Sequence, residues 1–138
     1  MRKPLPGFRK GSQLILGIGT DLMEIERIRQ SIARFGDRFL ARVFTPNEIG
    51  YCQQKKNAAE SFAARFAAKE AGAKALGTGI SHGIGWLEVE VVREPSGKPS
   101  LHLSGRAAGR ARSLGVTSIS LSLTHSRDTS LAVVVMEG

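Results

Sequence analysis

The spacing of apolar positions changes halfway along the chain and divides it into two kinds of structure. Residues 13–20 (QLILGIGT) form a short apolar run whose length and glycines mark a buried strand, with Asp21 at its end. From 22 to 43, Leu22, Ile25, Ile28 and Ile32 recur at intervals of three and four, with Arg27, Arg29 and Arg34 between them. That spacing predicts an amphipathic helix with one stripe on a core. Gly36 breaks it, and a second short helix carries Phe39, Leu40 and Val43. Thr45-Pro46-Asn47-Glu48 has the form of a capping box with proline at the first helical position, so a helix follows to about Gln54.

Asn57 with Glu60 three residues on starts the longest helix, expected over 58–76, where an alanine-rich run has high intrinsic propensity. At 1.5 Å per residue its length is about 28 Å. Gly77 stops it. Beyond this point β-branched residues gather. Residues 86–92 and 100–103 are extended and joined by the turn EPSGKP; 104–114 is a helix with an arginine face stopped by Gly115; 118–123 and 130–136 are strands around a turn at 126–128. The layout is α+β, a mainly antiparallel sheet packed with one long central helix and shorter ones.

Size changes this picture little: 138 residues suffice for one core and one domain, expected over 13–138. Residues 1–12, with two prolines, two glycines and four basic side chains, are expected to be a flexible extension. A single cysteine, Cys52, excludes an internal disulfide and a cysteine-rich metal site. The apolar run at 14–18 is too short for a secretory core or a membrane span, so an intracellular, cytoplasmic protein with no membrane partner is expected. The net charge of +8 points to an anionic partner without choosing among nucleic acid, phosphorylated cofactor and acidic protein.

Several chemistries fall on inspection. GIGTD has two glycines of a dinucleotide fingerprint and Leu22 where the third belongs; Gly97-Lys98 is followed by Pro99, unlike a P-loop; neither GxSxG nor HExxH occurs. What remains is a concentration of unlike groups on the long helix: Arg65, Lys69, Glu70 and Lys74 among alanines and glycines. Small neighbours leave room for a bulky ligand. Arg65 and Lys74 suit phosphate, Glu70 a hard cation, and Gly77-Thr78-Gly79 offers backbone amides. Each residue also has a plainer role: Asp21 as a helix cap, Glu70 and Lys74 as an i, i+4 pair on an exposed face, Gly77-Thr78-Gly79 as an ordinary helix stop.

In this order and spacing GIGTDLMEIERI, FAARFAAKEAGAKALGTGI, SGKP and SLTH resemble the holo-acyl-carrier-protein synthases, over about residues 15–137. The resemblance implies a phosphopantetheinyl transferase fold and a homotrimer with sites between subunits. It implies transfer of 4'-phosphopantetheine from coenzyme A to a serine of apo acyl carrier protein, with Mg²⁺, in fatty acid biosynthesis; adenosine 3',5'-bisphosphate leaves. Asp21 and Glu70 match the metal carboxylates, and Glu70 and Lys74 the catalytic pair. Lys74, Arg65, Gly77, Thr78, Gly79, His125 and Ser126 fall on the coenzyme pocket, with Arg65 and His125 acting on a ligand held mainly by a neighbour. Arg27, Arg34 and Arg42 match the carrier-protein contact, and acidic carriers suit such arginines.

The chain departs from the family in its longer start, in Thr129 where many members carry an aromatic residue, and in the charges of the HSRD turn. Glu70, Glu48 and a metal-bound water stand as acceptors for the serine proton. Peptide-synthetase transferases, usually longer and two-halved, and a non-catalytic nucleic-acid-binding domain are the rival readings. His82, His102 and Cys52 are expected to be structural.

Overall fold

A computed structural model describes residues 14–138; the expected extension over 1–12 lies outside the described residues, as does Gln13. Ten elements follow in order: β1 (Ile15–Glu24), α1 (Ile25–Phe35), α2 (Asp37–Val43), α3 (Pro46–Gln53), α4 (Ala58–Ala75), β2 (Val89–Arg93), β3 (Pro99–Leu103), α5 (Gly105–Leu114), β4 (Ser118–His125) and β5 (Thr129–Glu137). An antiparallel sheet of order β1-β5-β4 and an antiparallel β2-β3 hairpin carry α4 between them and the smaller helices, the α+β arrangement expected.

The first strand is longer than its apolar run. It pairs with β5 through Asp21↔Ala132 and Leu22↔Leu131 to Glu24↔Thr129, so Asp21 lies within the strand and caps nothing. The cap of α1 is Glu24, which makes no side-chain cap bond. Leu22 fits a period of two as well as of three, and pairing with β5 decides in favour of the strand. It therefore stands exposed on the outer sheet face with Ile18, while Gly19, Asp21 and Met23 face α4. The second difference is at residues 86–88, where Trp86–Glu88 form a 3₁₀ turn. The Glu88 carboxylate accepts from the Gly85 N–H at 2.7 Å and the Arg106 N–H at 2.5 Å, delaying the strand to Val89.

The caps expected at Thr45 and Asn57 both form. Thr45 Oγ1 accepts from the Glu48 N–H and the Glu48 carboxylate from the Thr45 N–H; Asn57 Oδ1 accepts from the Glu60 N–H. Gly36 breaks the first helix at φ +55° and Gly77 follows the long one at φ +81°.

Helix α4 is buried on most sides. Its approach to β1 depends on two glycines: a Cβ on Gly17 would lie 2.0 Å from the Ala75 carbonyl oxygen, and one on Gly19 would lie 1.8 Å from that of Ala71. Lys69, one of the unlike groups gathered on the long helix, is an internal fastener. Its ammonium donates to Glu48 Oε1 at 2.6 Å, Val89 O at 2.8 Å and Trp86 O at 3.1 Å, and both charged side chains are fully buried. Glu48 Oε2 accepts from the Val91 N–H at 2.9 Å, so one ion pair joins α3, α4 and the hairpin. Burial pushes the Lys69 ammonium below its usual range, opposed by the Glu48 charge.

Candidate active site

The close packing of β1 on α4 brings Asp21 to one face of α4 near its C-terminal half. There Lys74 Nζ donates to Asp21 Oδ1 at 3.2 Å and to the Thr20 carbonyl at 3.1 Å. Glu70 lies one turn before Lys74, on the same face of the helix. Its carboxyl is pushed above the usual range, first by burial and then by the charge of Asp21, with Lys74 opposing. Asp21 Oδ2 is buried and, among the described residues, accepts no hydrogen bond. A cation between the carboxylates would answer both features. Two carboxylates, waters and a substrate phosphate also meet the oxygen preference of Mg²⁺, so the residues fit that ion.

The other expected ligand-binding residues gather elsewhere. Arg65 precedes Glu70 by five residues, which places it about 140° round the helix and about 7.5 Å along it. It lines a cleft of about 510 Å³ with Tyr51, Lys55, Lys56, Glu60, Arg93 and His125, where the N-terminal half of α4 meets the end of β4. Arg65 is 4% exposed. Its Nη1 donates to Ser61 Oγ at 3.3 Å; among the described residues its Nε has no hydrogen-bond partner and no carboxylate lies within 4.0 Å of it. A buried, unpaired cation on a cleft wall is a ready anion site. His125 Nε2 stands 3.5 Å from Glu60 Oε1. Lys55, Lys56, Arg93 and Tyr51 carry no motif, and Glu60 belongs to the start of α4; they come from a loop, a hairpin and two capped helices that only the fold brings together.

Two expectations are corrected. The amides of Gly77, Thr78 and Gly79 are not free: they donate to Lys74 O, Ala73 O and Ala73 O, closing the last turn of α4. The open ground beside them is bordered by Arg110, whose Nε donates to Leu76 O at 3.0 Å. Glu48, buried against Lys69, is removed from any exposed reaction and cannot take the serine proton. Ser126 follows His125 at the β4–β5 turn, where its side chain is exposed and its N–H donates to Thr129 O.

Arg27, Arg34 and Arg42 are all exposed, the first two on α1 seven residues apart and so on one face, the third on α2. Arg42 borders a groove of about 340 Å³ with Ser31, Phe35, Arg38 and Phe39. Cys52 is buried and receives the Ser61 hydroxyl at 3.3 Å; His102 lies 3.8 Å from Glu94 on the hairpin, and His82 is exposed.

Known proteins resemble the chain over nearly its whole length. The holo-[acyl-carrier-protein] synthase of Koribacter versatilis is 53% identical over 124 residues, 90% of this chain and 99% of the relative. A crystal structure of the holo-[acyl-carrier-protein] synthase from Neisseria meningitidis superposes with a TM-score of 0.83 at 36% identity, covering 91% of this chain and all of that one. The Helicobacter pylori synthase, crystallised in complex with coenzyme A, gives 0.76 at 34% identity over 86% of this chain and 98% of that one. The pattern of one family matches residues 17–134, and the chain belongs to it: the 4'-phosphopantetheinyl transferase superfamily.

Proposed function

We propose that the protein transfers the 4'-phosphopantetheine group of coenzyme A to a serine of apo acyl carrier protein, with Mg²⁺, in the cytoplasm and in the service of fatty acid biosynthesis. The observation that carries this reading is the meeting of Asp21, Glu70 and Lys74, with one carboxylate oxygen buried and unpartnered among the described residues and the second carboxyl raised first by burial and then by the charge of the first. Among the described residues no helix is long and apolar enough to cross a membrane.

In the reaction the serine oxygen bonds to the phosphorus that bears pantetheine, the bond from that phosphorus to the pyrophosphate oxygen breaks, and adenosine 3',5'-bisphosphate departs. Asp21 and Glu70 would hold Mg²⁺, which when bound supplies charge neutralisation at the pyrophosphate. Lys74 donates N–H to the departing phosphate oxygens. Glu70 is the expected side-chain acceptor that faces this region, so it takes the serine proton directly or through water. Coenzyme A also carries a phosphomonoester on its ribose, and the cleft of Arg65 and His125 suits that second anion. Arg27, Arg34 and Arg42 would meet the acidic carrier.

Because Arg65 and Glu70 face different ways, one chain does not turn both on a single ligand; a neighbouring copy does. The outer face of β1-β5-β4 supports such a trimer, with Ile18 and Leu22 exposed at 58% and 62% beside Leu131, Val133 and Val135. The transferase unit in this reading is residues 13–138.

The test is a mass measurement: apo acyl carrier protein incubated with the protein, coenzyme A and Mg²⁺ should gain one phosphopantetheine. No gain, with salt-sensitive binding to DNA or RNA instead, contradicts the reading. Gain on peptide-synthetase carriers alone would replace the carrier assigned here.

A further inference from the structure

Three cations converge on one ring in the cleft: the Arg65 guanidinium at 4.0 Å, the Lys55 ammonium at 4.6 Å and the Arg93 guanidinium at 5.5 Å from the centroid of Tyr51. Like charges so close repel, and they need something that holds them together while the site is empty. A carboxylate would do so, but it would also compete with the incoming phosphate. The one carboxylate lining the cleft among the described residues, Glu60, is engaged elsewhere, accepting from Asn57 Nδ2 at 3.4 Å and standing near His125. An aromatic face attracts cations through its quadrupole without offering a competing anion. Tyr51 itself sits on α3, fixed by the Thr45–Glu48 capping box and the buried Glu48–Lys69 pair, so the ring is carried on a rigid element. Its phenol records the surroundings: burial alone would raise it, yet the hydrogen bond with Lys55 and the charges of Arg93, Lys55 and Arg65 bring it below its ordinary value.

We propose that Tyr51 is a positioning residue of the coenzyme site, the face of its ring holding Arg65, Lys55 and Arg93 in place for the ribose phosphomonoester of coenzyme A. This rests on the transferase reading and extends it. Tyr51 touches the cations and not the reacting atoms, so it governs coenzyme affinity and leaves the rate at saturation alone.

The experiment measures binding of coenzyme A, and of coenzyme A lacking the ribose phosphate, to the intact protein by calorimetry, together with KM and kcat. Tyr51→Leu should weaken coenzyme A about tenfold and the dephosphorylated form less than about twofold, with kcat kept. Tyr51→Phe keeps the ring and should stay within about threefold of the parent protein. To separate electrostatics from packing, phenylalanines bearing one, two and three fluorines at position 51 should lower affinity stepwise, since size barely changes while the ring face loses negative potential. This series also serves if the leucine variant folds poorly. Equal weakening of both ligands, a phenylalanine variant as weak as the leucine one, or a flat fluorine series would overturn the proposal. An unsubstituted protein that binds and transfers nothing would instead overturn the transferase reading, and this inference with it.

Discussion

The two ends of α4 carry two different kinds of site. Near its C-terminal half, Asp21, Glu70 and Lys74 are brought together by one backbone approach, β1 on α4, permitted by Gly17 and Gly19. At its N-terminal half, Arg65 meets Tyr51 from α3, Lys55 from the loop that follows it, Arg93 from β2 and His125 from β4. The first site sets carboxylates against each other and against a lysine, an arrangement for neutralising and moving charge. The second sets cations on an aromatic floor, an arrangement for holding an anion. In the proposed reaction, chemistry belongs to one and affinity to the other.

Removing a carboxylate from the first end gives the largest separation. Glu70→Gln should lower Mg²⁺-dependent transfer by about 10³-fold with an unchanged circular dichroism spectrum, since the interaction lost is one the transition state needs. Transfer within about tenfold of the parent would remove Glu70 from the chemistry. The fastener between the two ends comes next. Lys69→Met leaves the Glu48 charge buried and alone and should cost about 3–5 kcal/mol in denaturant unfolding, whereas the pair Glu48→Gln with Lys69→Met should recover much of it. Gly19→Ala would force a methyl group against the Ala71 carbonyl and should cost about 3 kcal/mol, with transfer falling as Asp21 is displaced.

At the second end the effect is smaller and of another kind: Arg65→Gln should raise KM for coenzyme A about tenfold and leave kcat within about twofold. A fall in kcat with KM unchanged would erase the distinction between the ends. The smallest effect is a pH slope. The raised Glu70 carboxyl binds its proton more tightly folded than unfolded, so its ionisation subtracts stability as pH rises from the ordinary carboxylate range through the raised value. Thermal unfolding across that range should show the loss in the parent protein, less of it with Mg²⁺ present, and none of this contribution in Glu70→Gln.

More of the first end was legible in the sequence than of the second, where only Arg65 and His125 were named, for a physical reason. Glu70 and Lys74 share a helix face by spacing alone, and GIGTD supplies both the aspartate and the glycines that let it approach. Even there, the strand's length was misjudged, because Leu22 satisfies two periods and only β5 chooses between them. Caps at Thr45, Asn57 and Gly77 were readable since each involves neighbours in sequence. Tyr51 and Arg93 lie 42 residues apart in sequence, and nothing local marks that they meet over one ring. Lys69 and Glu48 misled for the same reason: a lysine among functional groups and a glutamate near a cap look available until the fold buries them against each other.

Whether the two ends serve one coenzyme across a subunit boundary is decided by mixing variants. Glu70→Gln and Arg65→Ala chains, refolded together in equal amounts and assayed below the coenzyme KM, should form mixed trimers with one intact site each. Transfer should then reach about a quarter of the parent activity, well above the average of the two variants assayed apart. Activity equal to that average would mean that each chain works with its own two ends, and the shared site would be wrong.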